Sequence, residues 1–162
     1  MDYPLPESAA AILNEWVGPG TPPQDARLED VLAAVPDSRL PQHPLVTTEP
    51  VQRLRHARGQ SFPDWLALRY GRIPTFPDGI AHVTNDDEVR QIIQFARSVG
   101  TRLIPYGGGT SVVGHINPMG DAPVLTVDVS RLNQLLHLDE TSPLATFGAG
   151  IPGPALEAAL RP

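Results

Sequence analysis

A strongly periodic helix lies between two short apolar segments, and the second of these segments ends in three consecutive glycines. In "NDDEVRQIIQFARSVG" the apolar side chains recur at helical spacing, acidic residues fill the first turn, and Gly100 follows the last turn. "GIAHVT" before this helix and "TRLIPYG" after it are short and apolar, which predicts a strand on each side. A strand-helix-strand unit favours a parallel pair with a right-handed crossover. Because open α/β sheets bind ligands at the carboxyl ends of their strands, the glycines lie where a binding site is expected.

We call residues 107–114, "GGGTSVVG", the glycine loop. Two familiar phosphate-binding motifs fail on it. The dinucleotide fingerprint G-x-G-x-x-G that would start at Gly107 needs a glycine where the chain has Val112. The P-loop pattern that would start at Gly109 needs a lysine where the chain has His115. Any anion at this loop is therefore held in another way.

The remaining interpretation is an anion-binding nest. In a nest, successive backbone N–H groups, those from Gly107 to Ser111, point into one concavity, and the hydroxyls of Thr110 and Ser111 add donors. A hydrogen bond to a charged acceptor is worth about 1.5–3 kcal/mol, and each glycine costs roughly 0.5–1 kcal/mol. Two or three such bonds would offset that cost. A plain tight turn between strands is the alternative interpretation.

Composition and charge exclude several classes of partner and chemistry. The net charge of −6 and the pI of about 5.2 give no basic field for nucleic acid. The chain has no cysteine and no lysine, which excludes thiol chemistry, cysteine-ligated metals and Schiff bases within it. No apolar run is long enough for a transmembrane segment, and the N-terminus lacks signal-peptide features. We expect a cytoplasmic protein.

The 162 residues divide into two regions. Residues 1–75 are rich in proline. Their apolar spacing predicts four short packing helices: "PESAAAILNEWVG", "DARLEDVLAAVPD", residues 49–59 and residues 61–71. From residue 76 to 162 strands and helices mix. "APVLTVDVS" predicts a third strand, "LNQLLHLDE" and "LATFGAG" a further pair, and "PGPALEAALRP" a final helix. The predicted fold class is α+β.

The remaining polar residues have ordinary interpretations. The histidines show no ligand spacing, so we expect no metal site; they are His43, His56, His82, His115 and His137. His115 is expected to bond to backbone near its loop, with an approach to a bound cofactor or substrate as the alternative. Basic residues around position 55 are expected to form a solvated helix face, with an anionic substrate or a partner subunit as the alternative. These residues are Arg53, Arg55, His56 and Arg58.

The segment "RIPTFPDGIAHVTNDDEVRQIIQFARSVGTRLIPYGGGTSVVGH" resembles the opening of the FAD-binding (PCMH-type) domain of the vanillyl-alcohol oxidase and p-cresol methylhydroxylase flavoproteins. Within that superfamily, "RLRHARGQSFPDWLALRYGRIP", "PYGGGTSV" and "LTVDVSRLNQLLHLDETSPLATFGAGIPGPALEAAL" are similar to the alkylglycerone-phosphate synthases. The resemblance implies an FAD cofactor whose pyrophosphate lies in the glycine loop. The implied cofactor-binding residues are Pro105, Tyr106, Gly107, Gly108, Gly109, Thr110 and Ser111.

The same resemblance implies how the cofactor is attached and how much of an enzyme this chain provides. Some relatives bind flavin covalently through a histidine at the position of Thr110, and a threonine hydroxyl cannot make that bond. We therefore expect non-covalent FAD. One departure is the missing proline that relatives usually carry after the strand matching "GIAHVT". Family members are several hundred residues long, with most catalytic groups in a C-terminal domain. We therefore expect an N-terminal part, the first half of the FAD-binding domain, that is not competent alone and whose catalytic residues are unknown.

Three functions stay open. The resemblance implies a flavoenzyme that exchanges the acyl chain of an acylated dihydroxyacetone phosphate for a fatty alcohol. The first alternative is an FAD-linked 2-hydroxy-acid dehydrogenase of the D-lactate or glycolate type, which shares the loop. The second is a non-catalytic anion-binding or dimerisation module. The expected partners are a small-molecule substrate and the remainder of the same polypeptide, and a homodimer stays an open alternative.

Overall fold

The periodic helix extends from Asp86 to Val99 in a computed structural model, which describes residues 6–22 and 24–161. Asn85 caps its first turn by accepting a hydrogen bond from the Glu88 amide at 2.9 Å. Gly100 ends the helix in the left-handed conformation, with a φ of 69°. The start, the end and the type of this element are therefore as predicted.

The described part of the chain contains six helices and six strands, which confirms the α+β fold class. The helices are α1 (Glu7–Val17), α2 (Leu28–Ala33), α3 (Pro50–Arg55), α4 (Phe62–Arg69), α5 (Asp86–Val99) and α6 (Gly153–Leu160). The strands are β1 (Val46–Thr47), β2 (Gly79–His82), β3 (Arg102–Tyr106), β4 (Val124–Asp128), β5 (Leu135–Asp139) and β6 (Leu144–Phe147). β5 and β6 form the predicted antiparallel pair.

The main sheet has the strand order β1-β2-β4-β3, with β1 antiparallel and the other three strands parallel. β2 and β3 are therefore parallel, as predicted, but the prediction that they pair with each other is wrong. β4 lies between them, because every residue of β4 is buried and a strand buried on both faces belongs at the centre of a parallel sheet. The core beside it contains Ala81, Val83, Ile92, Leu125 and Val127.

The N-terminal region contains the four predicted helices and one strand that was not predicted. β1 pairs with β2 and so extends the main sheet. α3 ends at Arg55, well before the predicted end at Gly59, because the backbone then turns toward the glycine loop. The stripe of α1 is largely exposed; Trp16 is 80% exposed. This exposure does not support the prediction of α1 as a packing helix. No helix in the described ranges is long and apolar enough to cross a membrane.

The basic residues around position 55 are not a solvated face, which corrects the prediction for most of them. Arg53, His56 and Arg58 are buried. Arg53 donates to the carbonyl oxygens of Pro36 and Pro77, both at 2.6 Å. Its guanidinium is thus a structural bridge between two proline-containing segments, a use that a one-dimensional charge pattern does not indicate.

A buried carboxylate ties the N-terminal region to the main sheet. Asp78, which is 2% exposed, accepts hydrogen bonds from Nε and Nη2 of Arg39, both at 2.7 Å, and from the Val124 amide at 2.8 Å. Burial alone would raise the pKa of Asp78, but these bonds hold that pKa below its ordinary value. The contact joins residues on both sides of the predicted boundary at residues 75 and 76, and that domain boundary stays a prediction.

We expect Asp78→Asn to lower the free energy of unfolding by about 1–3 kcal/mol at pH 7, because a bidentate partner of Arg39 is lost in a buried place. The wild type holds this advantage above the unfolded-state pKa and loses it as the pH falls through the lower folded-state pKa. Urea unfolding measured from pH 7 down toward pH 2 should show the two proteins converge. Asp87→Asn, at an exposed ion pair, is the control and should change stability by less than about 0.5 kcal/mol. Equal losses in both variants would contradict the assignment.

Candidate functional site

The glycine loop leaves the carboxyl end of β3 with its amides unused. Among the described residues, none accepts a hydrogen bond from the amides of Gly107 to Val112. The Tyr106 carbonyl just before them still accepts from the Val129 amide at 2.9 Å, so pairing with β4 stops at the loop. A run of backbone donors without protein acceptors is the arrangement that the nest interpretation requires.

The three consecutive glycines have different structural reasons. Gly109 has a φ of 68°, and a Cβ on it would overlap the Tyr106 hydroxyl and lie 2.6 Å from Tyr106 Cζ. Gly107 and Gly108 have no such φ; a Cβ on Gly107 would meet no atom within 4 Å, and one on Gly108 only the Thr110 methyl at 3.7 Å. Folding of the described chain therefore requires glycine at position 109 but not at positions 107 and 108. A plain turn leaves these two unexplained, whereas a ligand lying against the backbone explains both.

The far end of the glycine loop is anchored to the segment that follows α3. The Gln60 amide donates to the Ser111 carbonyl at 2.6 Å, and the Gly59 amide donates to Oδ1 of Asn117 at 3.0 Å. Asn117 Nδ2 donates in turn to Oδ1 of Asp64 at 2.7 Å. Burial alone would raise the pKa of Asp64, but hydrogen bonds from Ser61 and Asn117 lower it. These contacts fix the Ser111 carbonyl and the segment just beyond the loop.

Beside the loop, three side chains from distant segments meet at the carboxyl edge of the sheet. We call His56, His82 and Asp128 the histidine–aspartate cluster. Asp128 Oδ2 lies 3.0 Å from His56 Nε2 and 3.2 Å from His82 Nδ1. The prediction of no metal site relied on spacing along the chain; the structure brings together three groups that could ligate a metal ion.

The charges of the cluster follow from burial and hydrogen bonding. Burial by itself raises the pKa of Asp128, but hydrogen bonds from Ser130 and His56 hold it below its ordinary value, so the carboxylate is ionised at neutral pH. Burial lowers the pKa of His82, against the attraction of Asp128. Tyr106 packs its ring 4.4 Å from that of His56, and burial raises the pKa of its phenol.

The predicted cofactor-binding residues are consecutive in the chain, but their surroundings in the structure differ. Pro105 and Tyr106 belong to β3, and the Tyr106 hydroxyl donates to the Arg55 carbonyl at 3.3 Å. Thr110 is exposed. Ser111 Oγ lies 3.2 Å from Nδ1 of His115, so the expectation that His115 bonds to backbone is wrong. The role of these residues in binding a cofactor stays a prediction.

The cluster was missed because its members are far apart in the sequence. One signal could have found two of them: His82 and Asp128 each lie near the carboxyl end of a predicted strand, and the carboxyl ends of parallel strands meet at one edge. His56 had no such signal, because its burial depends on where α3 packs.

Comparison with known proteins gives a family match and several relatives. Residues 77–162 match the family described as FAD binding domain. The alkyldihydroxyacetonephosphate synthase of Dictyostelium discoideum is 33% identical over 110 residues, which cover 67% of this chain and 18% of that protein. The mitochondrial D-lactate dehydrogenase (cytochrome) 1 of Saccharomyces cerevisiae is 33% identical over 82 residues, which cover 50% of this chain and 13% of that protein.

A solved structure of an alkyldihydroxyacetonephosphate synthase matches with a TM-score of 0.73 at 26% identity. The match covers 84% of this chain and 28% of that chain. This chain thus spans about a fifth of the length of the curated synthase it matches.

Two glycine substitutions should distinguish position 109, where the fold requires glycine, from position 108, where it does not. Gly109→Ala should lower the free energy of unfolding by about 2 kcal/mol or more, because alanine in the left-handed region costs roughly 1–2 kcal/mol and its methyl displaces Tyr106. Gly108→Ala should change it by no more than about 1 kcal/mol, since nothing lies close to the new methyl. Chemical denaturation of the ligand-free full chain measures both. A loss in Gly108→Ala as large as that in Gly109→Ala would contradict this interpretation.

Proposed function

The chain belongs to the FAD-binding domain family, and from that membership we propose that its glycine loop holds the pyrophosphate of FAD in an FAD-dependent enzyme. FAD is the cofactor of the family. Two observations together support this placement. The amides from Gly107 to Val112 have no acceptor among the described residues, and the fold itself does not need glycine at positions 107 and 108.

The residues of the loop fit a pyrophosphate chemically. A pyrophosphate is an anion with many acceptor oxygens, and the loop offers successive N–H donors. At positions 107 and 108 no side chain covers these donors. In this proposal the amides of Gly107 to Ser111 donate to the phosphate oxygens, and the hydroxyls of Thr110 and Ser111 add two donors. Pro105 and Tyr106 set the direction in which the chain leaves β3.

The attachment of FAD in this proposal is non-covalent. The position of interest is Thr110, whose exposed side chain is a hydroxyl. A hydroxyl donates a hydrogen bond to a phosphate. It does not form the covalent bond that joins a histidine to the flavin ring in covalent flavoproteins. The flavin should therefore leave the protein when it is denatured.

For the whole protein we propose a synthase that exchanges the acyl chain of an acylated dihydroxyacetone phosphate for a fatty alcohol. The synthase relative aligns over 110 residues and a synthase structure covers 84% of this chain, so the likeness extends beyond the loop into the N-terminal region. When bound, FAD supplies an electron-accepting ring; the residues described here bind and orient its pyrophosphate. The catalytic groups of the whole protein are not assigned.

One observation favours a second candidate, a D-lactate-type dehydrogenase. The yeast D-lactate dehydrogenase has the same identity, 33%, over its shorter alignment of 82 residues. Both candidates need the same pyrophosphate site, so the described residues support either of them. The non-catalytic module has no comparable support among the relatives.

Gly108→Ala should weaken FAD binding about 10- to 100-fold, because its methyl blocks approach to one donor and a hydrogen bond to phosphate is worth about 1.5–3 kcal/mol. Denaturation of the full chain should release all of the flavin. The refolded chain is then titrated with FAD while the flavin fluorescence is followed. Gly153→Ala is the matched control, since its Cβ also meets nothing within 4 Å but lies at the start of α6. Unchanged affinity in Gly108→Ala, or equal weakening in both variants, would contradict the proposed cradle.

Substrate assays on the full-length flavoprotein test the proposed reaction. We expect alkyl transfer with an acylated dihydroxyacetone phosphate and a fatty alcohol, and no flavin reduction by D-lactate. Flavin reduction by D-lactate alone would favour the dehydrogenase. A flavin-containing protein inactive with both would favour the non-catalytic module, and a protein that purifies and reconstitutes without flavin would contradict all FAD-dependent proposals.

A further inference from the structure

We propose that the histidine–aspartate cluster binds a divalent transition-metal ion of the zinc class through His56 Nε2, His82 Nδ1 and a carboxylate oxygen of Asp128. The proposal does not rest on the function proposed above. It rests on the spacing of the ligand atoms, on the contacts that orient them and on the partial exposure of His82.

The distances suit a common metal ion. The three groups can offer ligand atoms that all lie within 4.8 Å of one another, and the two nitrogen–oxygen separations are 3.0 and 3.2 Å. Zinc binds histidine nitrogen at about 2.0–2.1 Å and carboxylate oxygen at about 2.0–2.2 Å, so neighbouring ligands of a tetrahedral site lie roughly 3.3 Å apart. Small movements of these side chains would complete the coordination geometry.

The hydrogen bonds require a positive charge inside the cluster. His56 Nδ1 lies 2.7 Å from the Gln52 carbonyl oxygen, which can only accept, so this nitrogen carries a proton. In a neutral ring the other nitrogen, Nε2, then presents a lone pair. That lone pair faces Asp128 Oδ2 at 3.0 Å. Two acceptors at this distance repel each other unless a cation, either a proton or a metal ion, lies between them.

The second histidine supplies a third ligand atom beside the same carboxylate. His82 Nδ1 approaches the same carboxylate oxygen, Asp128 Oδ2, that faces His56. One metal ion accepts lone pairs from both rings and from the oxygen, whereas the metal-free cluster needs a separate proton on each ring that faces Asp128. Imidazole nitrogen with a carboxylate is a ligand set that suits zinc and other first-row divalent ions.

The outer contacts orient the ligands as metal sites do. The Gln52 carbonyl fixes the His56 ring through the Nδ1 proton and leaves Nε2 for the metal. The Ser130 amide donates to Asp128 Oδ1 at 2.8 Å and so leaves Oδ2 for the metal. The Tyr106 ring covers one side of His56. Each ligand except His82 thus has a partner that holds it in place.

An entry path exists on the side of His82. His56 and Asp128 are buried, but the His82 side chain is 24% exposed. It lines a cleft of about 310 Å³ together with Thr84, Glu88 and Arg131. Of the three ligands only His82 lines this cleft, so an incoming ion would meet His82 first.

Zinc binding to the full chain, prepared without a histidine tag and treated with a chelator, tests the proposal by titration calorimetry. We expect one ion per chain. His82→Gln should weaken its binding by at least the roughly 10- to 100-fold that loss of an outer partner costs, because a direct ligand is removed. The exposed His137 on β5 provides the matched control, and His137→Gln should bind as the wild type does.

A stability readout keeps the result independent of folding defects in the variants. Zinc should raise the melting temperature of the wild type and of His137→Gln, and at the same concentration should raise that of His82→Gln and Asp128→Asn by less. If Asp128→Asn fails to fold, the comparison of His82→Gln with His137→Gln decides alone, because His82 is partly exposed and its loss is tolerated more easily. No zinc binding by the wild type would overturn the proposal in favour of a protonated His56 that bridges to Asp128. Undiminished binding by His82→Gln would overturn it as well.

Discussion

The pairing of β4 with strands on both of its sides determines where the polar groups of this chain meet. In the register of the sheet, Asp128 is opposite His82 on β2 and opposite Tyr106 on β3. All three strands therefore end at the same level, and the chain leaves each of them at one edge. Because β4 is buried along its whole length, its terminal carboxylate is placed against those neighbours and is largely removed from bulk water. A buried carboxylate needs partners, and the histidines and the Ser130 amide provide them.

Local sequence signals predicted the elements well and their arrangement less well. α5 could be predicted to within a residue because its apolar period, its cap and its terminal glycine agree with one another. The order of the strands could not, since the central position of β4 depends on burial from both faces and on pairing between residues more than 20 positions apart. For the same reason Arg53 was assigned to solvent, although it bonds to carbonyl groups in two other segments. β1, with two residues, is too short to give a periodic signal.

The glycine loop shows how much a sequence pattern can say about a site. Three glycines in a row suggested a single reason, and the structure gives two. Gly109 is needed by the fold, because its left-handed backbone lies over the Tyr106 ring, whereas Gly107 and Gly108 are open. Sequence alone could not separate these reasons, since they depend on where one aromatic ring lies. The case for a ligand rests on the two open positions, and it would be weaker if all three glycines were explained by packing.

Tyr106 connects the two parts of the carboxyl edge. Its ring lies 4.4 Å from the His56 ring, and the same ring occupies the space in which a Cβ of Gly109 would lie. A shift of the His56 ring would therefore press on a tyrosine ring that also lies against Gly109 of the glycine loop. Close-packed interiors transmit such displacements because they contain few voids to absorb them. The cluster and the loop thus share one structural support, although one presents side-chain ligands and the other presents backbone amides.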